Sequence, residues 1–348
     1  MKKSKKLLSF MLAGAMLCSL AACGSNPDTT DTKNGDADNT AQAQDAGTDA
    51  KVYQIGIIQQ MDHVALNGAK DGFIQALADN GYVDGENIKI DWKNGNGDTN
   101  NLTTIAEQFA NDNKDLVLAI ATSAAQAMAS KTTTIPILAT AVTDFEVAGL
   151  VESNDKPGGN VSGTSDMNPI AEQMDLLFQL CPDTKTVGFL YNSSEDNSRL
   201  QIDKAKEYLD AKSIAYVEKT VSSQNEVQQA TQSIISECDA IYIPTDNVFA
   251  SSMPMVKDVT LPAKIPVFCG EAGMVQTGGF ATLGITYPGL GYQAGEMAVQ
   301  ILEGKANISE MPVVGSSEFE YCINKEVAQA LGIEIPADLQ QYMIEPEA

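Results

Sequence analysis

The sequence predicts an α/β protein built as two lobes, each a doubly wound parallel sheet, joined by a multi-strand hinge. Three observations predict it. From Lys51 onward, short β-rich runs alternate with helical stretches, the pattern of a parallel sheet with helices on both faces. The pattern starts again near Thr186 at nearly equal length: Ile55 to Ile58 leading to Gly81 and Tyr82 is answered by Val187 to Leu190 leading to Ala215 and Tyr216. About 295 residues follow the N-terminal segments, too many for one core and suited to two.

Two N-terminal segments precede the alternation. Lys2, Lys3, Lys5 and Lys6 are positive, and Leu7 to Leu20 is an apolar run of signal-peptide length, short for a membrane span. It ends in Leu20, Ala21, Ala22 and Cys23, which resembles a bacterial lipobox. The resemblance implies a leader of residues 1–22, cleavage before Cys23 and lipidation of its sulfur, with enough acyl chain for stable anchoring. Residues 23–50 lack aromatic and β-branched aliphatic side chains and read as a disordered tether.

In lobe 1, the apolar run Val52 to Ile58 predicts a buried strand. Gly68 to Asn80 carries Ala69, Phe73, Ile74, Leu77 and Ala78 on one helical face and is closed by Gly81. Strands at Asn87 to Trp92, Leu116 to Ala121 and Ile135 to Ala141 alternate with helices at Leu102 to Asn113 and Thr122 to Ser130. In lobe 2, strands at Thr186 to Tyr191, Ile214 to Val217, Ala240 to Pro244 and Pro266 to Cys269 alternate with helices at Asn197 to Ala211, Asn225 to Cys238 and Pro254 to Leu261. Val161 to Asp166 and Gly278 to Tyr287 read as crossings, and the helix Leu290 to Leu302 is expected on lobe 1. The strand Glu318 to Ile323 and the helix Lys325 to Leu331 return to lobe 2. The expected division is 51–162 for lobe 1, completed by about 286–313, and 163–285 for lobe 2, completed by about 314–348.

The formal charge is -24, and loss of the leader removes four Lys and no acid. Nucleic-acid binding needs clustered cations and is excluded as a class. An acidic chain is not drawn to anionic lipid, so the lipid has to do the anchoring. A single His (His63) and a single Arg (Arg199) leave little for a His-based metal site or a Ser-His-Asp triad, and no cofactor or metal is expected. Cys181, Cys238, Cys269 and Cys322 lie in or beside apolar runs, form no CxxC motif and read as core thiols.

The chain resembles the ABC-transporter substrate-binding proteins assigned to tryptophan and tyrosine uptake, with a type I periplasmic-binding fold. The resemblance runs from about Val52 to Ile335. It rests on the stretches Gly56 to His63, Ile120 to Gln126, Ala141 to Asp144, Pro157 to Asp166, Ser193 to Ser198 and Ile243 to Asn247. It implies a lipid-anchored, monomeric binding protein on the extracytoplasmic side of the cell membrane. Such a protein takes a small amino acid, Trp, Tyr or Phe, to a permease driven by a cytoplasmic ATPase.

Ligands of open parallel sheets bind outside the carboxyl ends of the strands. The loops there hold Gln60 and His63, Thr122 to Ala124, Thr143 and Asp144, Tyr191 to Asn197, and Asp246 and Asn247. Thr122 or Ser123 caps the following helix, and the free N–H groups through Ala124 with the two hydroxyls make a site for a carboxylate. Asp246 is the first choice for a ligand ammonium, with Asp166 and Glu195 as rivals. Turn-forming and capping roles compete for Asp246 and Asp166. Tyr191, Tyr287, His63 and Phe249 are candidates for the wall around a ligand side chain. Three alternatives remain at this stage: an enzyme using paired carboxylates such as Asp144 and Asp166, a ligand sensor, and a receptor for a sugar, nucleoside or other amino acid. No nucleophile elbow, P-loop or GxGxxG supports the first.

Overall fold

The computed structural model describes residues 51–316 and 319–345; the leader, Cys23 and the tether lie outside them. The chain begins with β1 (Tyr53–Gln59), α1 (Val64–Asp79), β2 (Ile88–Asn94), α2 (Thr99–Asn111), β3 (Leu116–Ile120), α3 (Thr122–Ala129), β4 (Ile137–Val142) and β5 (Val161–Ser165). It continues through α4 (Ile170–Leu180), β6 (Thr186–Asn192), α5 (Asp196–Ala211), β7 (Ala215–Val221), α6 (Gln224–Ile234), β8 (Ala240–Ile243), α7 (Asn247–Ala250), α8 (Met253–Thr260), β9 (Val267–Cys269), α9 (Ala272–Thr277) and β10 (Ala281–Gly284). α10 (Tyr287–Leu302), β11 (Val314–Gly315), β12 (Glu320–Asn324), α11 (Lys325–Leu331) and β13 (Met343–Ile344) complete it. Among the described residues no helix is long and apolar enough to cross a membrane.

Two sheets result, ordered β11-β5-β4-β3-β1-β2 and β13-β12-β10-β9-β8-β6-β7. The first is parallel throughout. The second has one antiparallel pair, β10 with β12. The crossings explain it: β10 leaves lobe 2 for lobe 1 and β12 comes back, so the two run in opposite directions. The segment Val161 to Asp166, expected as a crossing, is largely β5 inside the first sheet, so the expected boundary at residue 162 falls within a strand. β11 likewise extends the first sheet past residue 313.

Burial follows from alternation on sheets covered on both sides. In β3, Leu116, Leu118 and Ile120 enter the core under α1 and α10, while Val117 and Ala119 enter the core under α2 and α3. In β8, Ala240 and Tyr242 face the α4 and α5 side, and Ile241 and Ile243 the α6 and α8 side. α10 follows lobe 2 in sequence yet packs on lobe 1. A Cβ on Gly291 would stand 1.8 Å from the Ala69 carbonyl oxygen, and one on Gly72 would stand 2.0 Å from that of Pro288. Only glycine permits this approach of α10 to α1. The core thiols are free, Cys238, Cys269 and Cys322 buried and Cys181 partly so.

Candidate functional site

The carboxyl ends of β1, β3 and β4 in one sheet and of β6, β8 and β9 in the other face each other across the gap between the lobes. His63, Leu66 and Ala141 come from lobe 1, and Asn197, Thr245, Asp246, Asn247, Ala250 and Glu271 from lobe 2. Asp166 and Tyr287, from two hinge crossings, complete the wall. The cavity they enclose is about 10 Å³, room for one water. Beside it opens a groove of about 490 Å³ whose lining includes Gln60, Ser123 and Glu195.

The lobes are in direct contact. His63 Nε2 lies 3.1 Å from Asn247 Oδ1. Gln126 Nε2 donates to Asp196 at 3.0 Å, and Gln201 Nε2 to Thr143 Oγ1 at 3.5 Å. The Thr143 hydroxyl donates to Asp166 at 2.9 Å, and the Tyr287 hydroxyl donates to the other oxygen of Asp166 at 2.7 Å. One chain of bonds thus ties lobe 2, lobe 1 and two crossings of the hinge.

Four buried carboxylates converge here, and no Lys or Arg lines the cavity. Asp246 accepts from Asn192 N at 2.6 Å, Ser198 Oγ at 2.8 Å and Phe249 N at 3.0 Å. Glu195 accepts from Asn192 Nδ2, Asn197 Nδ2 and both nitrogens of Asn247. Glu271 accepts from two backbone N–H groups of its own helix, Gly273 and Met274. Burial, then the charge of Glu195, pushes Asp246 up to about 7. Burial pushes Glu271 up to about 7 and also raises Asp166. Burial lowers His63 to about 4, its bond to Asn247 opposing the change, so the imidazole is neutral. Two polar atoms here are buried without a partner: Gln60 Oε1 and His63 Nδ1.

Lobe 1 contributes unusual backbone. Ala121 and Ala141, at the carboxyl ends of β3 and β4, have φ of 83° and 57°. Non-glycine residues held at positive φ cluster at ligand sites.

Of the expected site residues, His63, Asp166, Asn197, Asp246, Asn247 and Tyr287 meet at the cavity, and Thr143 joins through Asp166. The expected hydroxyl cap of the helix after β3 is corrected. Ala121 is the N-cap, and Thr122 is the first helical residue, with no side-chain cap because the turn is made by the backbone of Ala121. Thr122 and Ala124 are buried there, and Ser123 lines the groove. Tyr191 is corrected too: its hydroxyl bonds Glu218 on β7 at 2.9 Å and its ring sits in a lobe 2 core. Phe249 is likewise core. Asp144 turns its own loop, accepting from Glu146 N and Val147 N. Glu271 and Thr245 were not among the expected residues. The signal for Glu271 is the one that marks Asp246: an acid within three residues of a buried strand's carboxyl end.

A family model described as ABC transporter substrate binding protein matches residues 54–345. The chain is 43% identical to a tyrosine-binding protein of Clostridioides difficile over 99% of its own length and 97% of the relative's. Among solved structures, a Streptococcus pneumonia ABC domain in complex with L-Trp is 38% identical with a TM-score of 0.81, covering 84% of this chain and 100% of that one. The ligand-free, open structure of a Clostridium difficile substrate binding protein with adhesive properties is 44% identical, yet its TM-score is 0.66 over 85% of this chain and 100% of that one. The less similar sequence is the better superposition.

Proposed function

The chain belongs to the ABC transporter substrate-binding proteins, and from this premise we propose that it holds an aromatic amino acid between its lobes and delivers it to the permease. The family places it on the extracytoplasmic side as a binding component rather than an enzyme. The observation that carries the ligand reading is the site's lopsided chemistry. Four buried carboxylates stand without a cation on one side, and the uncapped first turn of α3 beside strained backbone stands on the other.

A zwitterion answers both. Its ammonium supplies the missing cation. Asp246 already takes three donors, while Asp166 and Glu271 take two each, so the latter pair has more acceptor capacity to offer. The carboxylate would meet the first N–H groups of α3 and the Ser123 hydroxyl, at the positive end of a helix dipole. The tyrosine-binding relative and the Trp-complexed structure support an aromatic side chain. The better fit to the complexed structure than to the open one supports lobes closed on each other. An aromatic ring does not fit in 10 Å³, so the ligand enters with the lobes apart and selects a wider closed state. The lipid on Cys23 belongs to this proposal and keeps a monomeric cleft beside its importer.

The test is a thermal-shift screen of the mature chain against all amino acids, sugars and nucleosides, since a true ligand stabilises as RT ln(1 + [L]/Kd). Stabilisation by L-Trp or L-Tyr is expected. A shift with sugars or nucleosides alone would reject the ligand class. Release of the Cys23→Ser protein from membranes with ligand binding intact is the expected result for the anchor; a variant still held there would reject it.

A further inference from the structure

We infer that His63 is the specificity residue of the cleft: its Nδ1 lone pair accepts a hydrogen bond from an N–H or O–H on the ligand's side chain, so indole and phenol rings are preferred over a bare phenyl. The inference rests on the aromatic amino acid reading above and sharpens it.

Glu195 is 3% exposed. Its Oε2 receives the backbone N–H of Asn247 at 3.2 Å and the Asn197 side-chain amide at 3.2 Å. An oxygen surrounded by donors can only accept. The Asn247 side chain lies 2.6 Å from that same oxygen and must therefore turn its NH₂ toward it. The orientation of the Asn247 amide is fixed by this contact, and its Oδ1 faces His63 Nε2 at 3.1 Å. A carbonyl oxygen only accepts, so the proton of the ring sits on Nε2.

The ring is neutral, because burial lowers its pKa to about 4. It has one N–H, and that one is spent on Asn247. Nδ1 is then a bare acceptor. The ring as a whole is partly exposed, but Nδ1 itself is out of reach of solvent and has no partner. His63 borders both the inter-lobe cavity and a neighbouring pocket of about 140 Å³ toward Val64, Pro254 and Thr277. An acceptor that the protein leaves unmet inside a ligand cleft is met by the ligand. A ligand lacking the donor leaves it unpaired, and sites of this kind discriminate strongly against such analogues.

His63 is the one histidine of the chain, which makes the test unambiguous. Untagged protein is titrated by calorimetry with L-Tyr, L-Trp and L-Phe, alongside His63→Leu and Asn247→Leu. The ring tautomer is read separately from long-range ¹⁵N–¹H NMR spectra. The expected result is binding of Tyr and Trp at least tenfold tighter than Phe, a ratio that collapses in His63→Leu and falls in Asn247→Leu, with a neutral Nε2–H tautomer. Because the readout is a ratio, a general loss of closure in either variant does not affect it. Phe binding as tightly as Tyr in the native protein would overturn the inference. So would an equal loss for all three ligands in His63→Leu, which would assign Nδ1 to the ammonium. If no aromatic amino acid binds, the function proposed above fails, and the NMR measurement still decides the residue: an Nδ1–H tautomer or an imidazolium overturns its role.

Discussion

The two lobes share a fold and offer opposite chemistry to the cleft. Lobe 1 brings backbone: Ala121 and Ala141 at positive φ, and the start of α3 with its unspent N–H groups. Lobe 2 brings carboxylates: Glu195, Asp246 and Glu271, each wrapped in hydrogen bonds from its own elements. The hinge adds Asp166 and Tyr287, which hold each other. In the proposed function one lobe meets the ligand's anion and the other its cation, and a ligand carrying both charges would bridge them, closure following from its differential affinity for the closed state.

Each lobe has buried cores of its own. Phe73 in lobe 1 and Phe189 in lobe 2 are fully buried, and each truncation to Ala costs about 3–5 kcal/mol of stability. Denaturant melts of the two variants, followed by limited proteolysis, are expected to show cleavage confined to the lobe that carries the change. Identical cleavage patterns would mean one cooperative unit. Gly291→Ala, which drives a methyl into the Ala69 carbonyl, should lower stability by about 1–3 kcal/mol and loosen α10 from lobe 1. A melt unchanged by it would show that the α1–α10 contact is not tight.

Within the site, Glu271→Gln is expected to weaken ligand binding tenfold or more, about 1.4 kcal/mol, with a modest change in Tm. Asp246→Asn, which disturbs three internal bonds, should lower Tm more than affinity. Calorimetry and melting of both variants that returned the reverse order would restore Asp246 as the ammonium partner.

The carboxylates also set a pH dependence. Asp246 and Glu271, at about 7 in the folded chain, lie above their unfolded values near 4. The folded state thus binds more protons between about pH 4 and 7, and stability falls as pH rises through that window. His63, lowered to about 4, opposes this below about pH 6.5, one group against three raised carboxyls, Asp166 among them. Melting temperature without ligand should accordingly be higher near pH 6 than near pH 8, with a shallower slope in Glu271→Gln. The smallest expected effect is that of Gln126→Ala. It removes an inter-lobe bond to Asp196 worth about 0.5–1.5 kcal/mol, so stopped-flow should show a several-fold faster release of ligand and an unaltered on-rate.

Much of this was legible in the sequence because parallel sheets write themselves as alternating apolar runs and amphipathic helices. The runs that became β1, β3, β6 and β8 need no partner to be recognised. α4 was not among the expected elements, although Ile170, Met174, Leu177 and Leu180 repeat at helical spacing. Direction along a strand told which loops face the cleft, which is why His63, Asn197, Asp246 and Asn247 meet at the cavity. It did not tell which way a side chain turns. Tyr191 sits at the right end of its strand, but alternation points it to Glu218 and the core. The antiparallel β12 and the placement of α10 depend on crossings that local pattern does not record.

Whether lobe and hinge groups hold the two charges of an amino acid is measured by calorimetry with L-tyrosine, tyramine and 3-(4-hydroxyphenyl)propionate. Deleting either charge is predicted to weaken binding by a hundredfold or more, about 2.7 kcal/mol. Tyramine or the propionate binding as tightly as tyrosine would contradict the account.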